Sequence, residues 1–139
     1  MVSEPKTVVK AFYDALGRGD VSALVGLFDD DLEWTEAESF PYYGGTWTSA
    51  QSVVDNLLVP LSRDWDAFSA TPHEFLTEGR RVVGLGTYSG VYKRTGKSMS
   101  APFAHLWTVG GTKITRFNMY TDTAKVLAAM HVAADTRTN

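Results

Sequence analysis

Four segments in the second half of the chain have the residue pattern of β-strands, and they constrain the fold more than any other feature of the sequence. They are residues 73–78, 81–92, 98–109 and 113–121. Short turns that contain Gly79, Gly96 or the pair Gly110 and Gly111 separate them. Because glycine-containing turns of this kind join antiparallel neighbours, the sequence predicts a meander of long antiparallel strands.

The second of these strands carries glycines at alternate positions. Gly84, Gly86 and Gly90 all fall on one face. A strand face without side chains bends strongly or lets another group approach the backbone closely. We therefore expect a curved sheet.

The first part of the chain has helical periodicity instead. The apolar residues Val9, Phe12, Tyr13 and Leu16 recur with helical spacing and predict a first helix over residues 3–16 that stops at the glycines of residues 17–19. Asp20 is suited to cap a short second helix, which the three aspartates of residues 29–31 would end.

Two more helices are expected. Residues 48–51 resemble a capping box for a third helix, which Pro60 disturbs near its end. Asp122 or Thr123 begins a last helix after the meander. Residues 32–36 alternate as in a strand, with Glu36 in phase with Trp34.

Helices followed by a meander predict an α+β domain in which the helices cover one face of a bent antiparallel sheet and leave a pocket between the layers. The 139 residues suffice for one core, so we expect a single domain over residues 1–134 and a frayed tail over residues 135–139.

The composition excludes several classes of function. A net charge of −3 lacks the positive excess of nucleic-acid-binding proteins. No apolar run approaches the roughly 18 residues of a membrane span, and no targeting segment is recognisable, so we expect an unprocessed protein with no membrane partner. The lack of cysteine removes disulfides, thiolate metal sites and cysteine nucleophiles, and it fits a cytoplasmic location.

Metal and cofactor sites are not expected either. The three histidines, His73, His105 and His131, lack the spacing of a metal site. The glycines of residues 84–90 do not open a helix and therefore do not form a dinucleotide-binding loop. The prediction is a protein without a cofactor.

Several motifs together resemble one known group of proteins. They are residues 12–16 with 19–20, residues 27–34, residues 43–46, residues 101–107, and residues 113–117 with 120–123. In this order they are similar to the nuclear transport factor 2-like superfamily, and within it to SnoaL-like polyketide cyclases and ketosteroid isomerase-related proteins. The resemblance implies a cone-shaped fold, a deep apolar cavity enclosed by sheet and helices, and a homodimer formed through the outer face of the sheet.

The resemblance implies no single reaction, because such proteins include isomerases, aldol-type cyclases, dehydratases, epoxide hydrolases and binding proteins without chemistry. Ketosteroid isomerases use a carboxylate base on the first strand, and Glu36 stands at the matching position. A carboxylate in an apolar pocket has a raised proton affinity that suits it to remove a proton beside a carbonyl. The alternative is that Glu36 lies at the cavity mouth and faces solvent.

The oxyanion donors of ketosteroid isomerase have no counterpart here, because Phe12 and Ala104 occupy their positions. Tyr13 and His105 are the adjacent candidates. The resemblance also places His105 near the functional histidine of SnoaL-like cyclases and Asp122 near their catalytic aspartate, although Met119 is another counterpart of that aspartate. The alternatives are a structural or interface role for His105 and a helix N-cap role for Asp122.

The register of the last two strands decides which residues enter the cavity, since a slip of one residue exchanges the faces of a strand. The isomerase register turns Ala104, Leu106, Phe117, Met119 and Thr121 inward. The other register turns the polar set inward and allows a His105–Asp122 acid–base pair. Across both, the expected cavity residues are Phe12, Tyr13, Trp34, Tyr42, Leu57, Leu106, Phe117, Asn118, Met119 and Tyr120.

Three functions follow as hypotheses. The first is a cofactor-independent isomerase, cyclase or hydrolase that acts on an apolar small molecule with Glu36 as general base. The second is a protein that binds an apolar ligand and performs no reaction. The third is a dimeric interaction module, suggested by Phe103, His105 and Trp107 on one face of a strand.

Overall fold

The computed structural model describes residues 3–131, so the predicted tail at residues 135–139 and the predicted domain end at residue 134 lie outside it. The strands are β1 (Phe28–Thr35), β2 (Thr46–Trp47), β3 (Trp65–Glu78), β4 (Arg81–Tyr92), β5 (Ser98–Gly110) and β6 (Lys113–Thr121). The helices are α1 (Pro5–Arg18), α2 (Val21–Gly26), α3 (Ala50–Val53), α4 (Val59–Asp64) and α5 (Thr123–Met130).

The six strands form one sheet in the order β2-β1-β6-β5-β4-β3. The predicted meander is confirmed, because β3 to β6 pair consecutively and antiparallel. The first strand differs from its neighbours, since β1 lies parallel to β6 and joins the sheet beyond the last strand of the meander. The α+β fold class is therefore confirmed, with one parallel pair in an otherwise antiparallel sheet.

Two helical boundaries differ from the sequence prediction. The second helix ends at Gly26, and the aspartates of residues 29–31 lie in β1, between the buried Phe28 and Leu32. The third helical stretch is interrupted as predicted, but by five π-helical residues, Val54–Leu58, that precede Pro60. Proline has no N–H to donate to the preceding turn, and a wider turn accommodates that loss.

The sheet curves around α1, which packs against β3, β4 and β5 and buries one apolar stripe against them. Register shifts interrupt the β3–β4 pairing after Asp66 and after Pro72. Such bulges bend a strand locally and increase its twist. A Cβ atom on Gly86 would lie 2.2 Å from the Thr71 carbonyl oxygen and 2.5 Å from the Phe103 ring, so this position accepts only glycine.

The pairing of β5 with β6 corrects both predicted registers. His105 lies directly opposite Met119, and Trp107 lies opposite Phe117, so these four side chains share the buried face. The isomerase register is right for β6, where Phe117 and Met119 point inward, and wrong for β5, where Ala104 alternates with the buried residues. The other register is right for β5, where His105 and Trp107 point inward, and wrong for β6, where Asn118 and Tyr120 point outward.

Three predicted cavity residues consequently lie on the opposite face of the sheet. Leu106 pairs with Asn118, and Tyr120 pairs with Ala104, outside the cavity. Tyr120 is 56% exposed. The prediction that Leu106, Asn118 and Tyr120 line the cavity is therefore wrong, because alternation places them out of phase with His105 and Phe117.

Replacement of Gly86 by alanine should destabilise the protein by about 1–3 kcal/mol, the range of overpacked core positions, because the new Cβ would collide with backbone atoms of β3. Gly17→Ala is the matched control, since no atom lies within 4 Å of the added Cβ and the residue is in α1. That control should be neutral or stabilising by up to about 1 kcal/mol. Urea unfolding of both variants measures the difference, and equal effects would contradict the close packing at Gly86.

Candidate functional site

A cavity of about 500 Å³ lies between the sheet and the helices. Its walls are mostly apolar and are formed by Phe12, Leu16, Leu24, Trp34, Phe40, Leu57, Leu58, Leu61, Trp65, Phe68 and Phe117. Three exposed polar residues, Ser62, Asp66 and Lys93, also border it and mark its mouth. The buried polar residues that line the cavity are Glu36, Tyr88 and His105.

Most of the apolar residues predicted for the cavity are in or beside it. Phe12, Trp34, Leu57 and Phe117 line it, whereas Tyr13 and Met119 are buried in the core cluster without being part of the wall. Helical and strand periodicity predict the apolar faces that carry Phe12, Leu57 and Trp34, whereas the isomerase register implied by the resemblance turns Phe117 inward.

Tyr42 and Asp122 occupy other places than predicted. The Tyr42 hydroxyl donates to Asp64 over 2.9 Å and accepts from the Trp65 indole over 3.1 Å, so it ties a loop to the end of α4 and does not line the cavity. The Asp122 side chain caps α5 by accepting from the Lys125 backbone N–H. The predicted His105–Asp122 pair is therefore absent, and the N-cap alternative describes Asp122.

Glu36 follows the end of β1 and is only 5% exposed. Its Oε2 accepts a hydrogen bond of 2.9 Å from the indole N–H of Trp34, whose ring stacks on Phe117 with a centroid distance of 3.8 Å. Burial raises the pKa of Glu36 from 4.5 to about 8, and the hydrogen bond from Trp34 opposes that rise. The alternative of a solvent-facing Glu36 is thereby wrong.

The second carboxyl oxygen, Oε1, has no hydrogen-bond partner within residues 3–131 and is not sealed off by protein atoms. Glu36 lines the cavity, and its unpaired oxygen Oε1 keeps some accessible surface. A carboxylate held at one oxygen and free at the other has the geometry of a group that accepts a proton from a bound molecule.

His105 lies at the centre of a buried hydrogen-bonded chain. Its Nδ1 is 2.6 Å from the Tyr13 hydroxyl, and its Nε2 is 2.5 Å from the Tyr88 hydroxyl. The indole N–H of Trp107 donates to the Tyr13 hydroxyl over 3.2 Å. The imidazole also stacks on Phe103, with ring centroids 3.9 Å apart, so both its plane and its two nitrogens are fixed.

Burial controls the protonation of this chain. Desolvation lowers the pKa of His105 well below its ordinary value, so the imidazole is neutral at pH 7. Desolvation raises the pKa of Tyr13 above the range of ordinary titration. Desolvation also raises the pKa of Tyr88, and repulsion from Glu36 and Tyr13 in their ionised forms adds to that rise. Both tyrosines are therefore hydroxyls.

Tyr88 is the buried polar residue of the cavity that the sequence analysis does not predict. It lies in β4 in phase with Gly84 and Gly86, the glycines that predicted a close approach on that face. The same period of two would have placed Tyr88 inward beside whatever approaches the glycines.

Within residues 3–131 no group of three or more His, Asp or Glu side chains could hold a metal ion. The helices in that part of the chain are too short or too polar to cross a bilayer.

Solved structures share this fold over nearly the whole chain. A nuclear transport factor 2-like protein from Burkholderia thailandensis E264 is 37% identical, with a TM-score of 0.90 over 94% of this chain and 99% of that chain. TerC, crystallised with polyporic acid, is 24% identical, with a TM-score of 0.82 over 92% of this chain and 98% of that chain. A candidate polyketide cyclase from Xanthomonas campestris pv. campestris is 19% identical, with a TM-score of 0.80 over 91% of this chain and 96% of that chain.

No curated protein matches the chain significantly. The family model described as the SnoaL-like domain matches residues 9–117, which include most of α1, the strands β3 to β5, the first part of β6 and the cavity residues Glu36, Tyr88 and His105. The resemblance seen in the sequence is thereby confirmed, and the chain belongs to the SnoaL-like family with a nuclear transport factor 2-like fold.

Proposed function

We propose that this protein is a cofactor-independent enzyme of the isomerase, aldol-type cyclase or hydrolase class, and that Glu36 is its general base toward an apolar small molecule. The observation that carries the proposal is a carboxyl group buried in an apolar cavity, with one oxygen held by Trp34 and the other free. Membership of the SnoaL-like family supports the reaction class.

The raised pKa of Glu36 suits proton abstraction. With a pKa of about 8, about one tenth of the molecules carry the ionised carboxylate at pH 7. That fraction is a stronger base than a solvated glutamate, and its proton affinity lies near the working pH, where general-base catalysis is most effective. The hydrogen bond from Trp34 keeps the carboxylate oriented while Oε1 takes the proton.

The cavity supports an apolar ligand of moderate size. Its volume of about 500 Å³ lies within the range of small-molecule sites. TerC, which shares this fold, was crystallised with polyporic acid, and this supports a small organic molecule as the ligand. Apolar walls with few polar groups favour a substrate that is largely hydrocarbon with one or two oxygen functions.

The second candidate is a binding protein that performs no reaction. Phe12 and Ala104, at the positions of the oxyanion donors in ketosteroid isomerase, have no hydrogen-bond donor in their side chains, and this observation favours the candidate. A saturable ligand recovered unaltered from the protein would support it, and detection of any product would exclude it.

The predicted homodimer through the outer sheet face stays a prediction, as does a cytoplasmic location. Leu76 and Tyr120 are 54% and 56% exposed on the described surface, and Leu106 lies on the same outer face. The hypothesis of a dimeric interaction module was based on Phe103, His105 and Trp107. That strand face is buried inside the protomer, so it cannot be the interaction surface.

Glu36→Gln should abolish proton abstraction, since it keeps the shape of the side chain and its acceptor for Trp34 but removes the base. The test incubates the protein in deuterated water with a panel of apolar ketones, polycyclic β-keto esters and epoxides and follows mass changes. The rate of proton abstraction is expected to fall by a factor of the order of 100 or more. Glu38→Gln, at an exposed carboxylate two residues away, is the matched control. Equal turnover in wild type and Glu36→Gln would exclude Glu36 as the base.

Glu36→Gln should also change how stability depends on pH. The folded state binds the Glu36 proton up to a pKa of about 8, whereas the unfolded state releases it near 4.5. The unfolding free energy of the wild type therefore decreases as the pH rises from 4.5 through 8, whereas that of the variant does not decrease for this reason. The difference in unfolding free energy between variant and wild type should therefore grow from pH 5 to pH 9. It should grow by about 1.4 kcal/mol for each unit by which the pKa of Glu36 in the folded state exceeds that in the unfolded state. A gap independent of pH would contradict the buried, protonated carboxyl.

Tyr120→Lys should weaken self-association if the outer sheet face forms the dimer. A charge at an interface core is desolvated without a partner, whereas an exposed lysine costs little in a monomer. Light scattering across protein concentrations measures the mass, with exposed Val59→Lys on α4 as control. An unchanged dimer mass would place the interface elsewhere.

A further inference from the structure

The buried chain of Trp107, Tyr13, His105 and Tyr88 contains a fixed number of hydrogens, and that number sets its direction. The Trp107 indole only donates, so the Tyr13 oxygen accepts from it. The neutral His105 has one N–H and one bare nitrogen. Each tyrosine has a single hydroxyl hydrogen, which must find an acceptor or an open space.

Tyr13 fixes the tautomer of His105. Within residues 3–131 the acceptor in reach of the Tyr13 hydroxyl hydrogen is His105 Nδ1, at 2.6 Å. If Nδ1 carried the hydrogen instead, Tyr13 would accept from both Trp107 and His105, and its own buried hydrogen would have no acceptor. A buried donor left without a partner is strongly disfavoured. Nδ1 is therefore the bare nitrogen.

Tyr88 is the second hydrogen-bond partner of the His105 imidazole. Since Nδ1 is bare, the hydrogen of His105 is on Nε2 and is donated to the Tyr88 oxygen over 2.5 Å. The hydroxyl hydrogen of Tyr88 then points away from the imidazole. Tyr88 lines the cavity together with Glu36, so this hydrogen has the cavity as its open space.

We propose that Tyr88 is the hydrogen-bond donor that binds the substrate's oxygen, and that Trp107, Tyr13 and His105 are positioning residues that aim its hydroxyl into the cavity. The proposal rests on the proposed function of Glu36 for the reaction, and it assigns the missing oxyanion donor to a residue outside the positions of Phe12 and Ala104. The substrate class is an apolar ketone or ester with a hydrogen on the carbon beside the carbonyl.

Glu36 and Tyr88 together account for the proton and the electron pairs that move in the proposed step. Glu36 Oε1 takes the proton from the carbon beside the carbonyl, and the electron pair of that C–H bond becomes the C=C bond of an enolate. The electron pair of the carbonyl π bond moves to the oxygen, which accepts the hydrogen bond from Tyr88. A donor aimed in advance at the developing oxyanion stabilises it without reorganisation.

Gly84 is a structural condition for this arrangement. A Cβ atom at position 84 would lie 2.7 Å from the Tyr13 hydroxyl oxygen, so any side chain there would displace Tyr13 from His105. Gly84 also lies directly opposite His105 in the β4–β5 pair. The glycine thus makes room for the hydroxyl that fixes the tautomer.

The first test reads the tautomer directly and needs no substrate. In protein labelled at its histidine rings, ¹⁵N NMR distinguishes a protonated ring nitrogen from a bare one. Exposed His73 and His131 are assigned by their Gln variants. The Nε2–H form of His105 is expected in wild type, and the Nδ1–H form would overturn the proposal. Tyr13→Phe should give a mixture of the two His105 tautomers, whereas Tyr120→Phe on the outer face should leave the tautomer unchanged.

The second test uses acetylnaphthalene and isopropylnaphthalene, which have similar shapes but differ in a carbonyl oxygen. Wild type should bind the ketone about 3- to 10-fold more tightly, the gain of one net hydrogen bond. Tyr88→Phe should bind both equally, and Tyr120→Phe should behave as wild type. A preference that survives in Tyr88→Phe, or that is missing in wild type, would overturn the proposal.

The two tests separate this proposal from that of the general base. Glu36→Gln should retain both the tautomer and the preference for the ketone, because neither depends on proton abstraction. On a substrate that the panel identifies, Tyr88→Phe should lower kcat by about 100- to 1,000-fold, as the loss of an oxyanion donor does. Isotope exchange that depends on Glu36 but not on Tyr88 would leave the base assignment intact and overturn the donor assignment.

Discussion

The hydrogen-bonded register of β5 is the constraint on which the site depends. It turns the odd-numbered residues of the strand toward α1, so Phe103, His105 and Trp107 form a continuous buried row. A slip of one residue would place Ala104 and Leu106 there and would remove the imidazole of His105 and the indole N–H of Trp107 from the site. The opposite strand β4 accommodates this row with glycines at positions 84 and 86.

Desolvation then gives each buried polar group its protonation state. The same apolar surroundings raise the pKa of Glu36 to about 8 and lower that of His105 well below its ordinary value. Both groups are driven toward their neutral forms, since an apolar medium disfavours charge of either sign. A neutral imidazole between two hydroxyls forms a directed hydrogen-bonded chain, and a largely protonated carboxyl becomes a base only when it ionises.

Much of the architecture could be predicted from the sequence. The glycine-separated strands, the amphipathic first helix and the alternation around Trp34 and Glu36 are local patterns with a local physical cause. Glu36 is in phase with Trp34 in the sequence, and the family resemblance places it at the position of the isomerase base. The parallel pairing of β1 with β6 was not predicted, because it joins segments that are far apart in sequence.

The sequence by itself determined which elements form, which face of each is apolar, and that a carboxylate follows the first strand. Only the tertiary structure decided that His105 faces the cavity while Asn118 and Tyr120 do not, that Asp122 caps a helix, and that Tyr88 meets the imidazole. The physical reason is that local periodicity fixes faces within a strand, whereas the register between strands depends on packing against α1 and on contacts of long sequence separation. The direction of a buried hydrogen-bonded chain depends on all its members at once, and they come from α1, β4 and β5.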